Sequence, residues 1–551
     1  MSQEEIGHGA GGRKSVMILG GGVMQLPAIR TAGEEGWRSF VVDGNPACPG
    51  ADAADQFAHV DLRDLDGLVE AAREYRSGNG LDGVFTAGTD FSTSVAYVAE
   101  ALGLPGIPYR TALDASDKFR MRTRFTEAGV PCPPFVGILS EQRLGTAVAR
   151  CVSSLTFPVV VKPVDNMGAR GVIRVSTETA LESALAAART HSKTGRVIVE
   201  EFIEGDEFSL DAIVYRGEVT VCGVADRHIF FPPYFVEMGH TMPTARGMEE
   251  RSALETVFEQ GIKALGIKNG AAKGDIFLGK DGAMVGEIAA RLSGGYMSGW
   301  TFPYASGIGL TRAAMRISLG MEPGELAALS NRVSAERAFI SIPGKIAAIH
   351  GVHTVRHLLG VKEFFLQRHD GDEVRFPQNN VEKCGNIITV GESREQATAT
   401  ATKALQEIRV ELAPGRMDTI EFLFHPEAED SRWAFLLQDD RNRHAFGEMT
   451  CGTAGGGEET VAMLPEIERE RIPDWSGRTL SDVIAELGEM HNLIPVPPQV
   501  GVRWGAELWQ ALLRGGLQGG IFLIDTINDA QSAAAQEYIR AWCQGRTPTD
   551  V

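Results

Sequence analysis

Short apolar strands alternate with helices through about residues 14–112. The sequence predicts three strands and two helices in this order: Ser15–Leu19, Ile29–Gly36, Ser39–Val42, Leu65–Tyr75 and Gly83–Thr86. Strands that are separated by helices pair in parallel and bury both of their faces under those helices. This alternation therefore predicts a parallel, doubly wound sheet at the start of the chain.

Residues 157–172 (FPVVVKPVDNMGARGV) place a lysine at the end of an apolar strand and two glycines soon after it. Lys162 is a point charge suited to phosphate oxygens, and Gly168 and Gly171 let backbone N–H groups close around those oxygens. The lysine precedes the glycines and no GK[ST] follows, which excludes a Walker A loop. Taken alone, the pattern also fits an ordinary hairpin.

Residues 197–211 (VIVEEFIEGDEFSLD) predict two strands joined by a turn. Glu200 and Glu207 stand at opposite ends of this hairpin. A carboxylate there can accept a hydrogen bond from an adenine amine or a ribose hydroxyl. For Glu201 and Glu204 the pattern favours a solvated strand face.

Residues 274–295 (GDIFLGKDGAMVGEIAARLSGG) predict a further hairpin. Asp275 and Glu287 lie near its opposite ends, within reach of each other across the strands. Two carboxylates at one site repel unless a cation lies between them, and oxygen ligands beside phosphates indicate Mg²⁺. Arg291 and the open backbone after it suit a phosphorylated intermediate; that backbone comprises Ser293, Gly294 and Gly295.

Composition restricts the partners of the chain. Its 551 residues include 53 Lys+Arg and 72 Asp+Glu, a net charge of −19. So acidic a chain is a poor general nucleic-acid binder, although a few local cations suffice for a nucleotide. The seven cysteines are scattered without CxxC spacing, which indicates reduced thiols in a cytoplasmic protein. No signal-peptide core or 18-residue apolar run is present, so we expect no membrane association.

The three segments, in this order and spacing, resemble the ATP-grasp superfamily. Upstream, Ile18–Pro27 is similar to the Rossmann-like domain that precedes the grasp in biotin carboxylase and in the carbamoyl-phosphate synthetase large chain. Asp117-Lys118 matches the lysine before the grasp. Residues 334–412 resemble the C-terminal domain of ATP-dependent amino-acid ligases. The resemblance covers about residues 14–425.

The fold class implied is a multidomain chain of α/β and α+β character. The expected parts are a disordered tail (1–13), a Rossmann-like pre-ATP-grasp domain (14–112), an ATP-grasp domain (113–329) with a mobile lid at about 134–198, a C-terminal ligase-like α+β domain (330–428) and an additional domain of unknown function (429–551).

The resemblance also implies roles for individual residues. Lys118 and Lys162 would bind ATP phosphates, under a lid loop that contains Gly168 and Gly171. Nucleotide contacts would come from the hinge and the strand after it: Glu200, Glu201, Phe202 and Glu207. Asp275 and Glu287 would hold Mg²⁺, or Mn²⁺ in its place, and Arg291 would stabilise an acyl phosphate. The family usually has Asn two residues after the second metal carboxylate; here Ala289 stands there, without an amide oxygen.

Two further segments are candidates for substrate binding. Residues 225–243 interleave Arg227, His228, Glu237 and His240 with aromatics. They form either an amino-acid pocket, with Arg for the carboxylate and Glu for the amine, or a packed aromatic loop with two structural histidines. Asp90, at the carboxyl edge of the first sheet, reads a substrate amine or caps a helix.

A nicotinamide site is a weaker interpretation of the N-terminal glycines. Gly20, Gly21 and Gly22 follow a strand and Asp43 comes later, as in a dinucleotide fingerprint. Gln25 occupies the place of the third fingerprint glycine, which disfavours that interpretation.

The sequence thus predicts an ATP-dependent carboxylate–amine ligase with an amino acid as one substrate. It would form an acyl phosphate and release ADP and phosphate. Its partners would be a small carboxylate and a small amine, and a homodimer fits the superfamily. Two alternatives stay open: an enzyme that forms carboxyphosphate or carbamoyl phosphate, and a non-catalytic ATP-binding regulatory protein.

Overall fold

The computed structural model describes residues 13–425, 432–435, 473–491 and 506–543. These residues divide into two compact units. The first unit holds the described residues up to His228, with 239–335 and 392–394. The second holds 229–238, 336–391 and the described residues from Glu395 onward. The predicted tail over 1–13 lies, apart from Arg13, outside the described residues.

The first unit begins with a four-stranded parallel sheet in the order β3-β2-β1-β4. The strands are β1 (Ser15–Leu19), β2 (Arg38–Asp43), β3 (Gln56–His59) and β4 (Gly83–Phe85). The helices between and after them are α1 (Leu26–Glu34), α2 (Pro49–Ala53), α3 (Leu65–Asn79) and α4 (Ser92–Leu102). All of β1 is buried, as its apolar run requires. The predicted parallel α/β unit is confirmed. The structure adds β3, a half-exposed edge strand without the apolar run that marks the other strands.

Two helices follow the parallel sheet, α5 (Tyr109–Ser116) and α6 (Lys118–Ala128). The carboxylate of Asp117 accepts hydrogen bonds from the backbone N–H groups of Phe119 and Arg120, each at 3.0 Å. This N-cap satisfies free donors of the first turn and starts α6 at Lys118. The cap therefore fixes the position of Lys118 as the first residue of α6.

A small antiparallel sheet comes next, in the order β5-β8-β6-β7. Its strands are β5 (Phe135–Ile138), β6 (Val159–Pro163), β7 (Ile173–Val175) and β8 (Val197–Glu201), and its helices are α7 (Leu144–Ser154) and α8 (Leu181–His191). Its apolar residues form a core of their own, including Val159, Val161, Val197 and Val199. A separate core makes this lobe a packing unit in its own right.

A larger antiparallel sheet contains β13-β12-β9-β10-β11 in that order. Its strands are β9 (Gly205–Tyr215), β10 (Glu218–Phe230), β11 (Val236–Met242), β12 (Gly270–Gly279) and β13 (Gly282–Ala289). Helix α9 (Met248–Leu265) packs on it through Leu254 and Phe258, and α10 (Phe302–Ser306) and α11 (Leu310–Ser318) complete the first unit. The segment 225–243 is therefore largely a pair of strands, β10 and β11, instead of a loop.

The second unit combines short antiparallel sheets with helices. The strands that lie wholly or mostly in this unit are β14 (Val333–Phe339), β15 (Gly344–His350), β16 (Val361–Leu366), β17 (Glu373–Val374), β18 (Gly385–Gly391) and β19 (Arg409–Leu412). Its helices are α12 (Val352–His357), α13 (Arg394–Glu407), α14 (Met417–Phe424), α15 (Leu480–His491), α16 (Ala506–Asn528) and α17 (Ala533–Cys543). Residues of β18, α14 and α16 share one core, among them Ile387, Leu423 and Phe522.

The multidomain α/β and α+β fold class is confirmed by this architecture. None of the described helices combines the length and apolar character that crossing a bilayer requires.

Candidate active site

A buried ion-pair cluster joins α6 to the small antiparallel sheet. The Lys162 ammonium at the end of β6 lies 2.6 Å from Glu200 Oε2 on β8, and Arg122 Nε lies 2.8 Å from Glu200 Oε1. Glu200 is only 1% exposed. Burial would raise the pKa of Glu200, but the charges of Arg122 and Lys162 outweigh it and lower the pKa below its ordinary value. The carboxylate therefore stays ionised and holds Lys162 in place.

Lys118 lies between the loop after β6 and strand β13. Its ammonium donates a hydrogen bond to the backbone oxygen of Asn166 at 2.8 Å and lies 3.5 Å from Glu287 Oε2. The backbone N–H of Lys118 donates to Val164 O at 2.9 Å. One lysine thus links the glycine loop to a predicted metal carboxylate.

Asp275 and Glu287 are direct cross-strand partners on β12 and β13. The register shifts immediately after Asp275, where Gly286 is the extra residue. A Cβ at Gly286 would come within 2.4 Å of the Phe277 ring, so this bulge needs glycine. The hairpin therefore brings two carboxylates to one place on the sheet.

The charges around Glu287 keep it ionised far below neutral pH. Burial would raise its pKa, but Lys118, Lys273, Lys162 and Arg291 outweigh that effect and hold the pKa at about 2. The Glu287 side chain is nevertheless 34% exposed. A ligand can therefore approach a carboxylate that is already surrounded by cations.

Arg227 lies between Asp275, the candidate metal ligand, and Glu207, the candidate ribose ligand. Its Nη1 atom lies 3.0 Å from Glu207 Oε2 and 3.0 Å from Asp275 Oδ1. Glu207 pairs with Phe277, two residues along β12 from Asp275, so the two carboxylates share a face. The structure thus places Arg227 next to Asp275, a candidate metal ligand. The Glu207 carboxylate, the candidate ribose ligand, is paired with the Arg227 guanidinium.

The glycine loop between β6 and β7 is fixed at its base. Asp165 accepts hydrogen bonds from the hydroxyl of Ser192, from the N–H of Lys193 and from both the N–H and hydroxyl of Thr194, at 2.7–3.0 Å. Gly168 and Gly171 have φ values of +67° and +72°. A Cβ at Gly171 would lie 2.6 Å from His191 Cβ. Both glycines therefore take the left-handed backbone that favours this residue.

Glu201 and Phe202 leave β8 beside the buried cluster. The Glu201 carboxylate accepts a hydrogen bond from the Thr156 N–H at 2.8 Å, so it has a local partner and is not a freely solvated side chain. The Arg174 guanidinium lies over the Phe202 ring at 4.2 Å from its centroid. An arginine on an aromatic face gives a flat, partly apolar surface.

The segment after β13 is anchored on a buried aspartate. Ser293 N–H donates to Asp211 Oδ1 at 3.0 Å, and the Ser293 hydroxyl donates to Asp211 Oδ2. Burial raises the pKa of Asp211 although these bonds act against it. Arg291 Nη1 donates to Leu292 O at 2.9 Å. Arg291 and Ser293 are therefore held in a fixed turn next to the two carboxylates.

The same segment meets the carboxyl edge of the parallel sheet. Leu292 bridges to Ala87, and a Cβ at Gly294 would lie 3.0 Å from Gly88 O. Gly295 has a φ of +57°. Close backbone approach at Gly294 and a left-handed turn at Gly295 explain glycine at both positions.

Asp90 and Gln25 lie at this edge as well. Asp90 Oδ2 is 3.4 Å from the Lys193 ammonium, and the N-cap of α4 is Phe91, so Asp90 does not cap that helix. The Gln25 side chain accepts from Ala87 N–H at 3.0 Å and donates to Ala87 O at 2.5 Å. The residue that interrupts the glycine fingerprint therefore ties the first loop to β4.

The remaining substrate candidates lie on β10 and β11. His228 Nε2 is 2.9 Å from Thr241 Oγ1, and His240 is buried on β11. Glu237 belongs to the second unit, where its N–H donates to Asn380 Oδ1 at 2.8 Å and its carbonyl accepts from Lys383 at 2.9 Å. Of the four candidates, the structure brings Arg227 to the carboxylate pair.

Sequence reasoning missed three charged residues at the site. Arg122 lies one helical turn after Lys118, a spacing that puts both on one helix face. Lys273 precedes Asp275 by two residues, so both point from the same face of β12. The four-residue spacing of Lys118 and Arg122 and the two-residue spacing of Lys273 and Asp275 can both be seen in the sequence. The role of Asp211 depends on its contact with the distant Ser293, for which the sequence carries no signal.

The donor set fits a magnesium ion. Both oxygens of Asp275 face cations, Oδ1 the Arg227 guanidinium at 3.0 Å and Oδ2 the Lys273 ammonium, so the carboxylate lies where positive charge gathers. Mg²⁺ is commonly held by one or two carboxylates together with substrate phosphates. Within the described ranges, no three His, Cys, Asp or Glu side chains gather as a metal site. The candidate site offers the cross-strand pair Asp275 and Glu287. Lys118, Lys162 and Arg291 are suited to the phosphate oxygens.

Two segments of the chain match known domain models. Residues 155–299 match the ATP-grasp domain model, which spans Lys162 through Arg291. Residues 338–413 match L-amino acid ligase C-terminal domain 2. The chain therefore contains an ATP-grasp domain followed by the C-terminal domain of an L-amino acid ligase, and the resemblance inferred from the sequence is confirmed.

One curated relative matches a part of the chain. The D-alanine–D-alanine ligase of Burkholderia multivorans is 30% identical over 220 residues, which are 39% of this chain. The chain matches 61% of the length of that ligase.

Solved structures resemble the chain over a larger part of its length. An L-amino acid ligase from Bacillus licheniformis has a TM-score of 0.63 and 23% identity, and the match covers 73% of this chain and 100% of that one. Biotin carboxylase from Campylobacter jejuni has a TM-score of 0.56 and 20% identity, over 72% and 92% of the two chains. At these identities the likeness concerns the fold.

Proposed function

We propose that the protein is an ATP-dependent carboxylate–amine ligase, with an amino acid as one substrate. The observation that carries this proposal is the register of β12 and β13, which sets Asp275 opposite Glu287 with the Lys118 ammonium 3.5 Å from Glu287. A paired carboxylate site next to a phosphate-binding lysine suits an Mg²⁺–nucleotide complex. The ligase-type domain at 338–413 supports an amino-acid substrate.

The first half-reaction transfers a phosphoryl group. An oxygen of the substrate carboxylate bonds to the γ-phosphorus of ATP while the bond from that phosphorus to the bridging β–γ oxygen breaks, and ADP leaves. Lys118 and Lys162 would orient the phosphates, and Asp275 and Glu287 would hold Mg²⁺. When bound, Mg²⁺ supplies positive charge that offsets the negative charge of the phosphates. Arg291 would stabilise the acyl phosphate.

The second half-reaction forms the C–N bond. The nitrogen lone pair of the second substrate attacks the acyl carbon, a proton leaves the nitrogen, and the bond between the acyl carbon and the phosphate oxygen breaks. The products are an amide and inorganic phosphate. The loop at 165–171 would keep water away from the acyl phosphate.

A hydroxylamine trap tests this function. The full chain is given ATP, Mg²⁺, hydroxylamine and pools of amino acids or other carboxylic acids, and hydroxamate and ADP are measured. We expect hydroxamate from at least one amino-acid pool, and a loss of about 100-fold or more in Glu287→Gln. Glu218→Gln, an exposed glutamate on β10, is the matched control and should retain the activity.

Other outcomes would favour the alternatives. ADP formation that depends on bicarbonate and yields no hydroxamate would indicate carboxyphosphate chemistry. ATP binding without turnover in any pool would contradict an enzymatic function and favour a regulatory protein.

A further inference from the structure

Two cross-strand rows run side by side at the candidate metal site. In one row Asp275 lies between Ser209 on β9 and Glu287 on β13. In the neighbouring row, two residues along each strand, Lys273 lies between Asp211 and Ala289. Residues two apart on a strand share a face, so both rows belong to one surface.

The central residue of the second row is a cation, Lys273, whereas the central residue of the first row is a carboxylate, Asp275. The Lys273 ammonium pairs with Asp275 Oδ2, and both side chains are largely buried. Across the ladder, Ala289 offers only a methyl group. Asp211 is fully buried, and Ser293 donates to both of its oxygens. The row therefore supplies a fixed positive charge and no free oxygen ligand.

These positions restrict how many divalent cations fit. Asp275 and Glu287 provide carboxylate oxygens for one ion. A second ion next to Glu287 would lie beside the Lys273 ammonium, which repels it, and would find no donor at Ala289. An ammonium is itself a suitable partner for phosphate oxygens, because it carries three donors and a compact charge.

We infer that the Lys273 ammonium is a built-in second cation of the nucleotide site, so that the site takes one divalent metal ion per bound nucleotide. This inference rests on the proposed function, since it requires ATP at the pair formed by Asp275 and Glu287. Lys273 touches the nucleotide phosphates in this arrangement and also pairs with the Asp275 carboxylate.

Counting bound metal tests the inference without measuring activity. The full chain is saturated with a non-hydrolysable ATP analogue and titrated with Mn²⁺, bound metal is obtained from the loss of the free-Mn²⁺ electron paramagnetic resonance signal, and bound nucleotide is measured by equilibrium dialysis. We expect one Mn²⁺ per nucleotide. The double variant Lys273→Met/Ala289→Asn removes the ammonium and adds an oxygen donor, and it should bind two.

A single variant measures the contribution of the lysine itself. Lys273→Met should weaken analogue binding by about tenfold to a hundredfold, because a charge-assisted contact to the phosphates is lost. Lys268→Met removes an exposed lysine just before β12 and should leave the affinity unchanged.

The possible results separate the two proposals. Two Mn²⁺ per nucleotide in the unaltered chain, or unchanged affinity in Lys273→Met, would overturn the role of Lys273 and leave the proposed function standing. No binding of the analogue, or no Mn²⁺ bound with it, would overturn the proposed function and this inference with it. The count in the unaltered chain decides the matter even if the variants fail to fold.

Discussion

Two charged clusters of the first unit are built from similar residues and differ in what they can do. The closed cluster comprises Arg122, Glu200 and Lys162; the open cluster comprises Asp275, Glu287, Lys273 and Arg227. In the closed cluster a single carboxylate, 1% exposed, is bonded by two cations. In the open cluster Glu287 is 34% exposed.

The two clusters differ in the solvent exposure of their carboxylates, and this exposure determines whether a charged residue can take part in ligand binding. Buried charges need their partners in the folded state, because an unpaired one is costly away from water. In the proposed function the cations of the open cluster shift from carboxylates to the phosphates of a ligand that enters beside the partly exposed Glu287. We therefore expect variants of Arg122 and Glu200 in the closed cluster to change stability, and variants of the open cluster to change binding and turnover. Lys162, which the proposed function also assigns to the phosphates, should affect both.

Breaking the closed cluster should have the largest effect. Arg122→Met leaves Glu200 buried with one cation, and it should lower the free energy of unfolding by about 3–5 kcal/mol. Urea denaturation followed by circular dichroism measures the change. Arg124→Met on the same helix removes a partly exposed arginine and should cost about 1 kcal/mol or less. Equal losses in the two variants would contradict a special role for the buried pair.

Removing Lys118 tests the contact between the open cluster and the glycine loop, because Lys118 lies next to Glu287. Its ammonium contacts Asn166 O and Glu287, and in the proposed function it binds phosphate. Lys118→Met should raise the dissociation constant for ATP by about tenfold to a hundredfold. It should also cost less stability than Arg122→Met. Isothermal titration calorimetry measures the affinity, with Arg124→Met again as control, and unchanged ATP affinity would remove Lys118 from the site.

Acid should weaken the fold partly through Glu287. Its pKa is about 2 in the folded protein and 4.5 as the reference value for an unfolded chain. Between these values the unfolded chain binds a proton that the folded chain does not, so stability is present above pH 4.5 and is lost as pH falls towards 2. Glu287→Gln should therefore lose less stability than the unaltered chain between pH 5 and pH 3, as measured by urea denaturation. An identical loss would mean that Glu287 is not held ionised by its neighbours.

The carboxylate pair of the open cluster, Asp275 and Glu287, was predictable because its geometry is local. The hairpin from Asp275 to Glu287 has a short turn between two apolar strands, and this fixes which residues face each other. The order of Lys162, Gly168 and Gly171 likewise follows from one continuous segment. Short-range patterns of this kind specify both the strand and the position of its polar residues.

The closed cluster was less predictable because its partners come from separate segments. Glu200 looked like a nucleotide contact in sequence, and the structure ties its carboxylate to Arg122 and Lys162. No spacing rule links residue 122 to residue 200. The assignment of Glu237 to the second unit also depends on packing that the 225–243 pattern does not encode.

The smallest expected effect concerns the pair formed by Lys193, which is exposed, and Asp90, which is partly exposed; the two side chains are 3.4 Å apart. Lys193→Ala should change the free energy of unfolding by less than about 1 kcal/mol, because water and salt screen such pairs. Asp90→Asn should match it in stability and, if Asp90 reads the substrate amine, should additionally raise KM for the amine substrate. Steady-state rates of amide formation, measured with the amine substrate and without hydroxylamine, compare the two variants. Equal KM changes would instead indicate that the pair acts together in holding the glycine loop near the parallel sheet, since Lys193 lies in the turn that Asp165 anchors.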